Sequence, residues 1–149
     1  MDEKTPDGWN VAAMHKRSLQ RFNFDSVLMP WNYFAFQHST YAPDFFETWN
    51  LCTEKNVAVQ TIKSIARGPW AAGAEKTYKT WYEPLAVEED IARAVGWLLS
   101  HKGLFLNSVG EVKLLPAVFR AASQKPEKPA KEEMEALSEK MGLASIFGL

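Results

Sequence analysis

The sequence has a single cysteine, almost no net charge and no long apolar run. Cys52 is alone among 149 residues, which excludes an internal disulfide and fits a reducing cytoplasm. The 17 Lys and Arg nearly balance the 18 Asp and Glu, so the formal net charge of −1 argues against nucleic acid or an anionic membrane as partner. No apolar stretch approaches the ~20 residues of a membrane-spanning helix. The charged start Met1–Lys4 lacks the apolar segment of a secretory signal.

Signatures of metal and phosphate-loop sites are also missing. No His/Cys spacing is typical of zinc, and no GxxxxGK[ST] motif is present. Glu88, Glu89 and Asp90 form an acidic group, but they fall in the first turn of a predicted helix, where they complement the helix dipole. We therefore predict no metal site. Cys52 lies on an apolar helix face, which indicates a buried structural thiol and not a nucleophile.

The residues that are present indicate one globular domain built from alternating strands and helices. The composition is 46% hydrophobic, 13% aromatic and 23% charged. Short apolar or β-rich runs predict three strands at Ser26–Met29, Val57–Ile62 and Leu104–Leu106. The first of these runs has no polar alternation, which is typical of a strand buried on both faces. Periodicity and end signals predict helices at Val11–Phe22, Pro43–Lys55, Val87–Lys102, Leu115–Ala122 and Lys131–Met141.

This order of elements restricts the architecture. Strands separated by single helices must be parallel and joined by right-handed crossovers. An open doubly wound sheet and a (β/α) barrel both accept that order. A complete (β/α)8 barrel typically needs about 250 residues, so this chain is too short to form one alone.

Four stretches carry a resemblance to a known family. They are Phe24–Tyr33, Val57–Trp70, Trp81–Leu85 and Phe105–Gly110. In content and order they resemble the C-terminal part of the aldo/keto reductases, and most closely a bacterial branch, from about Val11 onward. The resemblance implies an α/β fold, a partial TIM (β/α)8 barrel of about three parallel strands with alternating helices and a C-terminal helical tail. It divides the chain into barrel part (1–122), Pro/Lys-rich linker (123–130), and C-terminal helix with apolar tail (131–149).

The resemblance also implies an activity, which this chain alone is not expected to carry out. Complete family members reduce carbonyl groups with NADP(H). Their catalytic Asp, Tyr, Lys and His belong to the first four strands, so we assign no catalytic residue here. His15, His38 and His101 are not substitutes. The alternative is a non-catalytic remnant or interaction module. It would pair its open sheet edges with another copy or with a partner that supplies the missing strands.

The resemblance implies that this part of the barrel contacts the cofactor. Loops after strands seven and eight of such barrels bind phosphate, because exposed N–H groups and a helix dipole favour an anion. The predicted NADP-contacting residues are Asn32, Lys63, Ser64, Arg67, Asn107, Ser108, Val109 and Gly110. Asn32 is expected near the nicotinamide, and Lys63, Ser64 and Arg67 near the pyrophosphate or a ribose phosphate.

Each of these residues also has a simpler interpretation. Lys63 and Arg67 are of a type that is mostly solvated, and Asn32 can hydrogen-bond to its own turn. The stretch 107–110 can also be an ordinary turn between a strand and a helix. Trp81 and Tyr82 are predicted to form a lid over the cofactor. After Gly110 the chain differs from common family members, since Glu111 and its neighbours replace an Arg-bearing stretch.

Overall fold

The computed structural model describes residues 11–124 and 127–146, with side chains from Met14 onward. The helices are α1 (Val11–Arg21), α2 (Tyr33–Gln37), α3 (Tyr41–Glu54), α4 (Glu88–Leu99), α5 (Leu115–Ser123) and α6 (Lys131–Met141). The strands are β1 (Ser26–Pro30), β2 (Ala58–Ile62), β3 (Ala66–Pro69), β4 (Tyr82–Pro84) and β5 (Leu104–Leu106). No helix in these ranges is long and apolar enough to cross a membrane.

The three predicted strands form one parallel sheet, in the order β1-β2-β5. Val27 of β1 lies opposite Val59 of β2, and Val59 lies opposite Leu104 of β5. The expectation of three parallel strands alternating with helices is therefore confirmed. β1 and β5 each pair with β2 alone within the described residues, so both outer edges of the sheet are open.

The helices that connect these strands share one core with one face of the sheet. Met29 and Val59 on that face are buried together with Phe45 of α3 and Leu98 of α4. The strands follow each other across the sheet in chain order, without the reversal that defines a doubly wound sheet. The described part of the chain is therefore wound in one direction only.

On the opposite face of the sheet, the described residues leave two large apolar side chains exposed, which corrects one prediction. Leu28 in β1 is 52% exposed and Phe105 in β5 is 58% exposed. Both lie opposite Gln60 of β2, so they belong to the same face. Ser26–Met29 was predicted to be buried on both faces, and this is wrong, because winding in one direction places the helices on one side only.

Three elements, α2, β3 and β4, were not predicted from the sequence. The helix α2 follows Trp31 and spans only five residues, too few for a periodic pattern. β3 and β4 form an antiparallel hairpin with a register shift between Ala66 and Gly68. No strand was predicted between Ile62 and Val87, because the two strands are short and their pairing spans the loop 70–81.

The two ends of the described chain pack differently from each other. In α1, Leu19 is buried whereas Met14 is 42% exposed, because α1 packs mainly against α3; Phe22, just after the helix, is 64% exposed. The side chain of Val11 lies outside the described residues. α6 joins the main core through Met134 and Leu137. Residues 125–126 of the predicted linker and 147–149 of the predicted tail also lie outside the described residues.

Candidate functional site

The ends of β1 and β2 are joined by the side chain of Asn32. Its Oδ1 accepts a hydrogen bond from the backbone N–H of Ala35 at 2.8 Å, which caps α2. Its Nδ2 donates to the backbone oxygen of Lys63 at 3.1 Å. The structure thus brings two of the predicted site residues into contact. The local hydrogen bond that sequence reasoning offered for Asn32 is present as well.

The Lys63 ammonium, just after β2, packs against two aromatic rings. Its Nζ lies 4.6 Å from the ring centroid of Trp81 and 4.5 Å from that of Tyr82. Such contacts hold an ammonium group in place and remove part of its water. Burial lowers the pKa of the Lys63 ammonium. The Trp81 side chain is 53% exposed, so this corner of the molecule faces solvent.

Ser64 and Arg67 take structural positions beside this corner. Ser64 is only 5% exposed. The Arg67 Nε donates to the backbone oxygen of Met141 at 2.6 Å, and its Nη1 donates to the carboxylate of Glu83. The guanidinium therefore links the β3–β4 hairpin to the end of α6. A phosphate would reach it only in competition with these two acceptors.

The segment 107–110 leaves β5 at the same edge of the sheet. The Asn107 backbone N–H donates to the backbone oxygen of Thr61 at 2.9 Å, and its Nδ2 donates to the Oε1 of Gln60 at the same distance. Val109 is buried and anchors the turn, whereas Ser108 and Gly110 are exposed. A Cβ added at Gly110 would meet nothing within 4 Å. The backbone here is open to solvent at the carboxyl end of the sheet.

Glu111 places a carboxylate directly after this turn. The residue is 5% exposed, and its two oxygens accept backbone hydrogen bonds from Lys79 at 2.9 Å and Lys113 at 3.1 Å. These hydrogen bonds hold the pKa of the Glu111 carboxyl below its usual value. The residue ties the loop 70–81 to the turn before α5. Any anion bound at the start of α5 would have to tolerate this charge.

The C-terminal segment 144–146 closes part of the same edge. The Ala144 N–H donates to the backbone oxygen of Arg67 at 2.8 Å. Together with Asn32, His38 and Lys63, this segment lines a cavity of about 20 Å³, room for about one water molecule. In its described part the segment lies on β3, through the hydrogen bond from Ala144 to Arg67.

The only cysteine is a buried packing residue. Cys52 is 0% exposed in α3, and burial raises the pKa of its thiol. A higher pKa means less thiolate at neutral pH, and thiolate is the reactive form. We expect 5,5′-dithiobis(2-nitrobenzoate) to leave Cys52 unmodified in the native chain and to modify it fully in denaturant. Rapid modification of the native chain would show that α3 does not bury this face.

Comparisons with known proteins assign no family. No family model, curated protein or solved structure matches this chain. The function proposed below is therefore supported by the sequence motifs and by the geometry of the sheet edge.

Proposed function

We propose that this chain is the C-terminal, NADP(H)-contacting part of an aldo/keto reductase barrel. The observation that carries the proposal is the winding of the sheet. β1, β2 and β5 run parallel in chain order, and the connecting helices share the core on one face. Consecutive units of a (β/α)8 barrel have this arrangement. The open second face would be the interior of the barrel.

The proposed cofactor site is the carboxyl edge of this sheet, where barrel enzymes bind their ligands. Asn32, Lys63 and the segment 107–110 follow the three strands at that edge. The Lys63 ammonium and the exposed backbone near Gly110 suit the phosphates of a dinucleotide. Ser64 and Arg67 would support the loop that follows β2. Val109 would hold the turn in place through its buried side chain.

The proposal gives this chain the cofactor half of the reaction only. When bound, NADPH would supply the hydride for carbonyl reduction. Burial raises the pKa values of Tyr33, Tyr41 and Tyr82, and the Tyr41 hydroxyl donates to the Pro30 backbone oxygen at 2.7 Å. None of these three phenols is placed as an exposed proton donor. The catalytic acid would come from strands outside this chain.

Titration with NADPH, followed by tryptophan fluorescence, tests the proposal. Trp81 is 53% exposed and contacts Lys63, so we expect a saturable change in its emission. Trp81→Phe should remove most of that change and leave binding measurable by calorimetry. A folded chain, verified by circular dichroism, that shows no saturable change and no heat of binding would contradict the proposal.

Gly110 provides a local test, because alanine there changes the ligand surface without disturbing the fold. A Cβ at this position meets no atom within 4 Å, and its φ is not in the left-handed region. We expect Gly110→Ala to leave the melting temperature unchanged. Its affinity for NADPH should fall about tenfold, since a methyl group would hold a phosphate away from the backbone N–H groups. An unchanged affinity of this variant for NADPH would mean that the phosphates do not bind at the Gly110 turn.

The open sheet edges favour a second candidate function, an interaction module without catalysis. Unpaired strand edges are templates for pairing with another chain. Within the described residues, β1 and β5 leave their outer edges in this state. Association of the chain without any binding of NADPH would favour this second function over the first.

A further inference from the structure

The C-terminal segment 144–146 lies where part of a bound dinucleotide would have to be. Together with Asn32 and Lys63, which the proposed function places in the cofactor site, this segment lines a cavity of about 20 Å³. Sites for small molecules and cofactors usually have volumes of about 300–1,000 Å³. A nicotinamide ring therefore does not fit beside Asn32 while the segment keeps this position.

The contacts of the C-terminal segment connect it to the edge of the β3–β4 hairpin. The Ala144 N–H donates to the backbone oxygen of Arg67 at 2.8 Å. A Cβ placed on Gly68 would lie only 3.2 Å from the Cβ of Ala144, so the backbone of β3 comes close to this side chain. Ala144 is nevertheless exposed, and Ile146 is only partly buried. Contacts at the surface of a molecule open more readily than those of its core.

The helix α6 gives the segment a fixed base and a hinge. Met134 and Leu137 hold α6 in the main core, and the Lys140 ammonium lies 3.0 Å from the carboxylate of Asp90, which is 1% exposed. Gly142 then ends the helix with φ 57, a left-handed value that glycine adopts freely. The helix can therefore stay in place while the chain beyond Gly142 changes direction.

We propose that the C-terminal segment 144–146 is a gate that closes the dinucleotide site and must move away from β3 before NADPH binds. This inference rests on the proposed function, because it concerns the regulation of that same site. A ligand that binds only the open form has an apparent affinity lowered in proportion to the fraction of open chains. With about 10% of the chains open, the gate weakens the binding of NADPH about tenfold.

A disulfide that holds the gate closed tests the proposal. The 3.2 Å between the two Cβ positions is a few tenths of an ångström below the usual range for disulfides, so Gly68→Cys with Ala144→Cys needs only a small shift to form one. We expect the oxidised double variant to bind NADPH at least tenfold more weakly than the same protein after reduction with dithiothreitol, as measured by calorimetry. Thiol titration in denaturant verifies the bond, because Cys52 is then the only free thiol. Equal affinities of the oxidised and reduced forms would overturn the proposal.

Two shortened chains test the gate without a new bond and cover the case in which the double variant fails to fold. A chain that ends at Leu143 lacks the gate but keeps the Leu143 N–H, which donates to the backbone oxygen of Ser138 at 3.1 Å and closes the end of α6. We expect this chain to bind NADPH about tenfold more tightly than the wild type. The matched control ends at Ile146, retains the gate and should bind NADPH with the affinity of the wild type.

The outcomes separate the gate from the proposed function. Circular dichroism checks that the shortened chains are folded. Binding of NADPH with equal affinity by the wild type and both shortened chains would overturn the gate and leave the proposed function intact. An equal gain in affinity for both shortened chains would also overturn the gate, because the control retains it. Folded chains of which none binds NADPH would contradict the proposed function and the gate together.

Discussion

Replacement of Trp31 by alanine is expected to lower the free energy of unfolding by about 3–5 kcal/mol, the usual cost of deleting a large aromatic side chain from a core. Trp31 is 0% exposed, stacks on Phe45 with ring centroids 3.8 Å apart, and meets Phe46 and Trp97 at 5.5 and 5.9 Å. Its side chain therefore links the end of β1 to both α3 and α4. Urea denaturation followed by far-UV circular dichroism measures the loss.

Two control variants separate the contribution of this ring from a general effect of losing tryptophan. Trp31→Phe should cost clearly less, because it keeps a stacked ring and removes an indole N–H that has no hydrogen-bond partner among the described residues. Trp81→Ala should cost about 1 kcal/mol or less, since Trp81 is half exposed and packs at the surface against Lys63 and Tyr82. Equal losses for Trp31→Ala and Trp81→Ala would contradict the core position of Trp31.

Replacement of Lys63 by methionine is expected to weaken NADPH binding about 10- to 100-fold, which corresponds to the loss of one hydrogen bond to a charged group. The backbone at Lys63 has φ 66, a value that is equally strained for lysine and methionine. Methionine also retains an unbranched chain against Trp81 and Tyr82. The change therefore removes the ammonium charge with little effect on the fold. Isothermal titration calorimetry measures the affinity.

Lys102→Met is the matched control for this measurement. Lys102 is an exposed lysine that precedes β5, at the amino end of the sheet, opposite the proposed site. We expect the Lys102→Met variant to bind NADPH with the affinity of the wild type. Added salt should narrow the difference between wild type and Lys63→Met, because screening weakens a partly exposed charge contact. Equal losses for the two lysine variants would mean that only net charge matters, and the proposed position of the phosphates would be wrong.

Sequence patterns predicted the regular elements of the chain well where one local signal was sufficient. The strand Leu104–Leu106 and the helix Lys131–Met141 have the predicted bounds. β1 and β2 differ from the prediction by a single residue at one end. Acidic residues at Glu88–Asp90 correctly indicated the start of α4. In each case propensity, periodicity or a charged first turn acts within a few residues, so no distant contact was needed.

Local sequence predicted the geometry of the candidate site only in part. The positions of Asn32, Lys63 and Asn107 at strand ends follow from the order of the elements. The partners of Arg67 do not, because Met141 is 74 residues away and joins it only after α6 has packed. The same holds for Glu111, which the sequence marked only as a departure from a family pattern. Its two backbone donors come from the turn that follows it and from the distant loop 70–81.

Local sequence by itself therefore determined the three strands of the parallel sheet and the helices α1, α3, α4, α5 and α6, but not α2 or the β3–β4 hairpin. Only the tertiary structure decided that the helices cover one face, that Leu28 and Phe105 remain exposed on the other, and that the C-terminal segment lies on β3. The reason is physical. The hydrogen bonds and side-chain preferences of a single element are short in range, whereas the choice of covered face depends on contacts between residues far apart in the chain.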